Sequence, residues 1–163
     1  MTKTIIRKAV IEDISAIQNI AYETWHDTYD GMIPRNVQDK FLGKAYSDEN
    51  MPGRIKRTSL FVAVDKEQII GFANFFCKNP QEAELGALYV LPAAQGKKAG
   101  TKLLEAGIQE KQSLRAIHVE IERENITGTA FYEARGFKLL EEYEEELYGH
   151  KLQTKRMKLT LSE

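Results

Sequence analysis

A loop of glycine and lysine residues is the segment of this sequence best suited to bind a ligand. Residues 95–101 read Gln-Gly-Lys-Lys-Ala-Gly-Thr and lie between an apolar strand and a predicted helix. The first backbone N–H groups of a helix have no partner within it and carry the positive end of the helix dipole. Gly96 and Gly100 let a ligand approach the backbone, and Lys97 and Lys98 add positive charge. The loop therefore predicts a site for an anionic group such as a phosphate.

Several kinds of phosphate-binding loop compete for this segment. The loop of nucleotide hydrolases has four residues between its two glycines, whereas Gly96 and Gly100 have three between them. A dinucleotide-binding fingerprint needs three glycines, and only two are present. A coenzyme A loop and an ordinary glycine-containing turn are the other two interpretations. The loop alone does not choose between these two, so its sequence context has to decide.

Two segments of the chain resemble the motifs of one enzyme superfamily. Residues 88–104 (LYVLPAAQGKKAGTKLL) resemble the central coenzyme A motif of the GNAT acetyltransferases, in which a strand and a proline precede Gln/Arg-x-x-Gly-x-Gly/Ala at a helix start. Residues 125–137 (NITGTAFYEARGF) resemble the second motif, Asn-x-x-Ala-x-x-Phe-Tyr-x-x-x-Gly-Phe. Both occur in the family's order and spacing, and the similarity covers residues 60–137. The nearest resemblance is to the bacterial polyamine and small-amine type.

This resemblance implies a cosubstrate, acetyl-CoA, and contacts to it along both motifs. The main chain of Leu88 and Val90 would pair with the pantetheine arm, Asn125 would hydrogen-bond that arm, and the loop would cradle the pyrophosphate. Tyr132 would stand near the thioester sulfur. The complete set of expected cofactor contacts is Leu88, Tyr89, Val90, Gln95, Gly96, Lys97, Lys98, Ala99, Gly100, Thr101, Asn125 and Tyr132.

Two positions depart from the family pattern. Lys98 replaces the first glycine of the loop, and a lysine adopts a positive φ less easily than glycine does. We expect coenzyme binding to survive with altered affinity, because the backbone N–H remains. Gly128 replaces the usual alanine, and we expect it to loosen its helix by up to about 1 kcal/mol and to do little else.

The resemblance further implies direct acetyl transfer to a primary amine in a ternary complex, without a metal. The amine must lose a proton, so a base or a chain of waters is needed. Glu84 and Glu120 are the candidate bases, and strand alternation places Glu120 and Glu122 on one face. Tyr132 is the candidate proton donor to the leaving thiolate, with a core aromatic as its alternative role. The Val90 N–H is the candidate donor to the thioester carbonyl oxygen.

The acceptor amine is not identified by the sequence. A small amine or polyamine competes with a protein N-terminus or lysine, and a non-catalytic acyl-CoA sensor is the alternative outside the enzymes. Trp25 and Tyr29, at the end of the first predicted helix, are the candidate substrate contacts, because their faces attract cations. Trp25 as a core anchor is the competing interpretation. The acidic run 141–146 is either an attractant for basic substrates or a solvated strand face.

The predicted elements place these residues on a mixed sheet. We expect strands at residues 4–9, 60–64, 69–77, 84–91, 115–121, 137–148 and 152–161, and helices near residues 14–25, 34–42, 48–57, 99–108 and 125–135. The strand–loop–helix–strand order in the middle of the chain implies a parallel pair. The sequence therefore predicts an α/β (α+β) GNAT fold. It consists of one domain over residues 1–163, with about seven strands and helices on both sheet faces.

Amino-acid composition indicates which partners, metal sites and cellular location to expect. The 23 basic and 24 acidic residues give a net charge of −1, which argues against a nucleic-acid partner. Cys77 is the only cysteine, so neither an internal disulfide nor a cysteine-based zinc site is expected. No signal peptide or membrane-length apolar run is visible, which predicts a cytoplasmic protein without a membrane partner. A homodimer stays open.

Overall fold

A seven-stranded sheet forms the centre of the computed structural model, which describes residues 3–161. Its spatial order is β1-β2-β3-β4-β5-β7-β6, and β4–β5 is the one parallel pair among these strands. The mixed sheet and the sequence order of its elements confirm the predicted fold class. The strands are β1 Ile5–Lys8, β2 Ser59–Asp65, β3 Gln68–Asn79, β4 Glu82–Val90, β5 Ala116–Glu122, β6 Lys138–Leu147 and β7 His150–Thr160.

Five α-helices pack against this sheet. None of them, within residues 3–161, is long and apolar enough to cross a membrane. The predicted helix at residues 48–57 begins later, because residues 47–50 form a turn in which the Asn50 N–H donates to the Ser47 carbonyl at 3.1 Å. The helices are α1 Ile14–Tyr29, α2 Arg35–Ala45, α3 Met51–Arg57, α4 Ala99–Glu110 and α5 Ile126–Ala134.

Alternation along the strands divides the buried residues between two faces of the sheet. In β2, Leu60 and Val62 pack on one face with residues of α1, α2 and α3. Phe61 and Ala63, their immediate neighbours, pack on the opposite face with residues of α4 and of β5. Because consecutive strand residues point to opposite faces, one apolar strand serves both cores. Helices therefore cover both faces, as predicted.

Two tight turns close the hairpins. Lys66 and Glu67 both have positive φ, of 50° and 66°, at the β2–β3 turn. Tyr148 and Gly149, with φ of 46° and 82°, form the β6–β7 turn. Positive φ at both central residues matches the twist of the adjoining strands. The second turn lies one residue earlier than the predicted Gly149–His150.

The parallel strands β4 and β5 separate soon after they meet. Residues Glu82 to Leu85 pair with Ala116 to Val119, and the register stops there. In β4 the pairing with β3 skips Gly86, where an added Cβ would lie 2.3 Å from the Phe76 ring. The bulge and the separation leave the far ends of β4 and β5 apart. A gap between two strands, which we call the β4–β5 split, thus opens beside the start of α4.

Candidate active site

The first turn of α4 is not capped by a side chain. Lys98 precedes the helix with φ 62° and ψ 19°, and its side chain makes no capping hydrogen bond. The amides of the first turn are therefore available to an anionic ligand. Gly96 has φ 96°, and an added Cβ there would meet no atom within 4 Å. At Gly100 an added Cβ would lie 3.1 Å from the Phe131 ring, so a small residue is needed where α4 passes α5.

The two loop lysines have different surroundings. The Lys97 Nζ lies 2.7 Å from an oxygen of Asp65, a buried carboxylate at the end of β2. Its charge is thereby balanced by the protein, so Lys97 adds less positive charge to the loop than its residue type predicts. Lys98, which stands where the family pattern has a glycine, adopts the left-handed conformation that glycine reaches most easily. This conformation costs an L-residue about 1 to 2 kcal/mol.

Arg135 is a residue near the loop that sequence reasoning missed. Its Nε donates to the Thr101 hydroxyl at 3.0 Å, and its Nη1 donates to the Phe131 carbonyl at 2.8 Å. The guanidinium carbon lies 3.6 Å from the centre of the Phe131 ring. No carboxylate within residues 3–161 pairs with it, so it adds a positive charge beside the start of α4. An arginine four residues after Phe131 on one helix face was the available signal.

The β4–β5 split is bordered by the residues expected to contact the cosubstrate. Leu88, Tyr89 and Val90 pair with β3 on one side, and the β4–β5 pairing does not reach them on the other. The main chain of β4 therefore has an edge without a strand partner toward the split, as an added strand-like ligand requires. The Val90 carbonyl accepts one long hydrogen bond there, from the Gln95 side chain at 3.4 Å. Asn125 and Tyr132 come from α5 on the opposite border, at its N-cap and within it.

Asn125 has a structural role in addition to its expected one. Its side-chain oxygen accepts a hydrogen bond from the Gly128 N–H at 3.0 Å and caps α5. A Cβ at Gly128 would lie 2.5 Å from Ile121 Cδ1 and 2.8 Å from Asn125 Nδ2. The expectation that Gly128 only loosens the helix is therefore incomplete, since the missing Cβ leaves room for the capping side chain.

Three tyrosines, Tyr29, Tyr89 and the Tyr132 described below, belong to the elements that border the split. Burial raises the pKa of Tyr29, while the nearby Asn125 side chain lowers it and the Glu122 charge raises it further. Burial also raises the pKa of Tyr89 well above its usual value. The Tyr89 hydroxyl accepts a hydrogen bond from the Trp25 indole at 3.0 Å. The α1 helix end and β4 are thus joined at this site, and a substrate contact at Tyr29 stays a prediction.

Tyr132 is buried between aromatic rings. The ring centres of Phe131 and Phe137 lie 5.3 Å and 5.1 Å from its own. Burial, followed by the nearby Tyr29 phenol, raises the pKa of Tyr132 above that of an ordinary phenol. The hydroxyl is therefore fully protonated at neutral pH, which suits a hydrogen-bond donor.

The two candidate bases differ in their partners. Glu84 is held by Arg156 through two hydrogen bonds, at 2.9 Å and 3.2 Å, and lies 3.3 Å from the Lys78 ammonium. Glu120 is exposed and makes no ion pair within residues 3–161. Partial burial, followed by the charges of Glu145 and Glu84, raises its pKa. Glu120 is therefore the carboxylate that is less engaged by cations, and its own pKa is raised.

Trp25 does not lie at a ligand-accessible surface. It is 8% exposed, stacks on Phe41 with 4.6 Å between ring centres, and belongs to the core beneath α1 and α2. This burial favours the core-anchor interpretation of Trp25, and a direct substrate contact there stays a prediction. The position of Trp25 fixes Phe41 and Tyr89, which both line a cavity.

This cavity, which we call the helix-side cavity, has a volume of about 650 Å³. It lies between α2, α3, strands β3 and β4, and the β6–β7 turn. Tyr89 belongs both to its wall and to the border of the split, so the two spaces adjoin. The lining residues include three cations, Lys44, Arg54 and Arg57, together with aromatic side chains from Phe41, Tyr46, Phe76, Tyr89 and Tyr148.

The acidic run 141–146 faces a basic strand. In the β6–β7 hairpin Glu142 lies opposite Lys155 and Glu146 opposite Lys151. Such opposite charges on paired strands favour the register. The solvated-strand interpretation fits this arrangement. Within residues 3–161 no three side chains of the metal-ligating types cluster as a candidate metal site.

Comparison with known proteins agrees with this geometry. Residues 56–139 match the sequence profile of the acetyltransferase (GNAT) domain. Spermidine N(1)-acetyltransferase from Thermoplasma acidophilum is 33% identical over 142 residues, covering 82% of this chain and 88% of that protein.

Solved structures extend the match over nearly the whole chain. The PaiA N-acetyltransferase of Thermoplasma acidophilum, in complex with coenzyme A, has a TM-score of 0.83 and 27% identity over 98% of this chain and 99% of its own. A GCN5-related N-acetyltransferase from Rhodopseudomonas palustris shares the fold, with a TM-score of 0.82 and 19% identity over 99% and 98% of the two chains. The chain therefore belongs to the GNAT family of acetyltransferases and is an N-acetyltransferase.

Proposed function

We propose that this enzyme transfers the acetyl group of acetyl-CoA to a primary amine of a small molecule, by direct attack in a ternary complex. The uncapped start of α4 beside the β4–β5 split is the observation that carries the proposal. The similarity to a spermidine acetyltransferase supports a small amine, with polyamines among the candidates. A protein N-terminus or lysine is the second class of acceptor to be tested.

The residues around the split suit acetyl-CoA, which supplies the activated acetyl group. The amides of residues 99–101 and the glycines of the loop would hold its pyrophosphate. Arg135, unpaired with any described carboxylate, would add a positive charge there. The free edge of Leu88 and Val90 would align the pantetheine arm, with Asn125 opposite.

Protons must leave the amine and reach the thiolate. We propose Glu120 as the base, directly or through water, because its pKa is raised and its carboxylate is not tied to a cation. Glu84, held by Arg156, is proposed to act beside it by fixing the charges around Glu120. We propose that the Tyr132 hydroxyl donates a hydrogen bond to the leaving sulfur, since it stays protonated at neutral pH.

Release of free thiol from acetyl-CoA tests this function. The purified protein is supplied with spermidine, putrescine, ornithine, a peptide with a free N-terminus and a lysine-containing peptide whose N-terminus is blocked. Thiol release with a small amine and not with the peptides supports the proposal. Faster release with either peptide would overturn the assignment to small molecules. Coenzyme binding by calorimetry without turnover of any amine would support the acyl-CoA sensor instead.

A further inference from the structure

The helix-side cavity contains three positive charges, which is unusual for a site that receives a cationic amine. We propose that Lys44, Arg54 and Arg57, called here the basic pocket, bind an oxyanion carried by the acceptor itself. The acceptor would then be an amine that also bears a carboxylate or a phosphate, such as an amino acid, rather than a plain polyamine. The inference rests on the proposed acetyl transfer and names the chemical class of its acceptor.

No carboxylate neutralises the basic pocket. None of the three cations makes an ion pair with an Asp or Glu anywhere in residues 3–161. No acidic residue is among those that line the cavity. Like charges that share a concave site with low-dielectric walls repel one another and create a positive potential. An anionic group entering the cavity relieves that repulsion.

Arg54 is held in place by neutral acceptors. Its Nε and Nη2 donate to the Asn74 side-chain oxygen at 3.1 Å and 2.7 Å, and its Nη1 donates to the Ala45 carbonyl at 2.8 Å. Asn74 is fully buried and is itself fixed by a hydrogen bond to the Thr58 hydroxyl at 2.6 Å. These bonds orient the guanidinium without cancelling its charge. They engage three of the five N–H donors of the guanidinium, whose carbon also lies 4.5 Å from the centre of the Tyr46 ring.

The other two cations lie at the rim. Arg57 lies across Gly53, one helical turn before it, so closely that a Cβ at Gly53 would lie 2.8 Å from Arg57 Nη1. The missing side chain at Gly53 thus gives the Arg57 guanidinium room against the cavity wall. Lys44 comes from the end of α2 and is exposed. One guanidinium held by hydrogen bonds and two exposed cations thus face the same cavity, as a site for an oxyanion requires.

The basic pocket connects to the reaction site through Tyr89. This residue lines the helix-side cavity and also belongs to the part of β4 that borders the split. An acceptor anchored by its oxyanion at Arg54 would therefore extend its amine past Tyr89 toward the split.

Binding can be measured without the cosubstrate. Trp25 is the only tryptophan, and it contacts both Phe41 and Tyr89 in the cavity wall. Its fluorescence is titrated with two matched pairs: ornithine against putrescine, which lacks the carboxylate, and phosphoethanolamine against ethanolamine, which lacks the phosphate. We expect the oxyanion-bearing member of at least one pair to bind about tenfold more tightly. The pair that shows the difference identifies a carboxylate or a phosphate as the anchor.

Variants test whether the basic pocket causes the tighter binding of the oxyanion-bearing amine, which we call the oxyanion preference. Arg57→Gln is expected to reduce it about threefold to tenfold, and Arg54→Gln to abolish it. Arg54→Lys, which keeps the charge but loses the planar fork, is expected to restore part of it. Lys56→Gln is the matched control, because Lys56 is an exposed neighbour on α3 outside the cavity lining. It should leave both titrations unchanged.

The outcomes separate this inference from the proposed function. The oxyanion anchor is overturned, while acetyl transfer stands, if two results occur together. Thiol release with putrescine and spermidine is as fast as or faster than with ornithine and phosphoethanolamine, and Arg57→Gln changes neither rate. Tight binding of ornithine or phosphoethanolamine without thiol release from any amine supports the anchor and contradicts the proposed function. Equal binding within both pairs overturns the anchor whatever the turnover.

Discussion

The Arg156 guanidinium holds the Glu84 carboxylate through two hydrogen bonds, Nη2 to Oε1 at 2.9 Å and Nη1 to Oε2 at 3.2 Å. Both side chains are largely buried, at 16% and 13% exposure. In the β5–β7 register Arg156 also lies opposite Glu120. One arginine therefore binds one candidate base and lies opposite the other on the neighbouring strand.

Replacing each carboxylate should have a different effect. Glu84→Gln removes one partner of a largely buried pair and is expected to lower the free energy of unfolding by about 2 kcal/mol. Glu120→Gln is expected to leave stability nearly unchanged and to lower kcat/KM about a hundredfold. Denaturant unfolding and thiol release measure the two quantities. Glu105→Gln, an exposed change on α4, is the control. A fully active Glu120→Gln enzyme would exclude this residue as the base.

The pH dependence of the reaction should report Glu120. Its pKa is raised, so the carboxylate that accepts a proton predominates only above a pH higher than the usual glutamate value of about 4.3. The wild-type kcat/KM should therefore fall as pH drops through that raised pKa, and Glu120→Gln should lack this limb. The effect on stability has the opposite sign. A carboxyl whose folded pKa is raised contributes stability below its unfolded pKa, and that contribution is lost as pH rises through the folded pKa.

Tyr132→Phe should separate chemistry from cosubstrate binding. The ring remains packed between Phe131 and Phe137, while the hydroxyl that we propose as donor to the sulfur is lost. We expect kcat to fall about a hundredfold with an unchanged dissociation constant for acetyl-CoA by calorimetry. Tyr22→Phe, which removes a phenol on α1 away from the split, should retain wild-type turnover. Equal turnover in the two variants would argue that Tyr132 is only a packing residue.

Lys98→Gly tests the left-handed residue before α4. Glycine adopts φ near 62° without the penalty of about 1 kcal/mol or more that an L-residue carries. Part of that gain is offset by the larger entropy of glycine in the unfolded chain. We expect a net increase of about 0.5 kcal/mol in the free energy of unfolding, measured with urea. Lys98→Ala retains the strained conformation without the charge and should show no such increase. A less stable glycine variant would contradict the conformational argument.

Two helical glycines should respond oppositely to alanine. At Gly107 in α4 an added Cβ would lie 2.1 Å from the Phe75 ring, which is buried in the core. Gly107→Ala is therefore expected to destabilise the protein by about 1 to 3 kcal/mol. At Gly43 in α2 the nearest atom would be the Tyr22 hydroxyl at 3.8 Å. Gly43→Ala should stabilise by up to about 1 kcal/mol through helix propensity. Thermal unfolding of both variants compares them directly, and a stabilised Gly107→Ala would contradict the packing.

Local patterns in the sequence determined the elements and the binding loop. Alternating apolar residues in β2, polar turns and the glycines at 96 and 100 act over a few residues, so the order of strands and helices and the start of α4 could be predicted. The two family motifs likewise lie in continuous segments, which is why Asn125 and Tyr132 could be named as candidate site residues. Their position at the split agrees with that prediction, while their contacts with the cosubstrate remain predictions.

Sheet register and helix packing decided the partners of these residues. Glu84 meets Arg156, which follows it by 72 positions, and Lys97 meets Asp65 from another strand. The basic pocket joins α2, α3, β3, β4 and the β6–β7 turn, which no local pattern relates. Such meetings depend on how strands align and how helices pack over them, because side chains distant in sequence become neighbours only when the sheet has formed. Tertiary structure therefore placed Trp25 in the core and left positive charges facing the helix-side cavity.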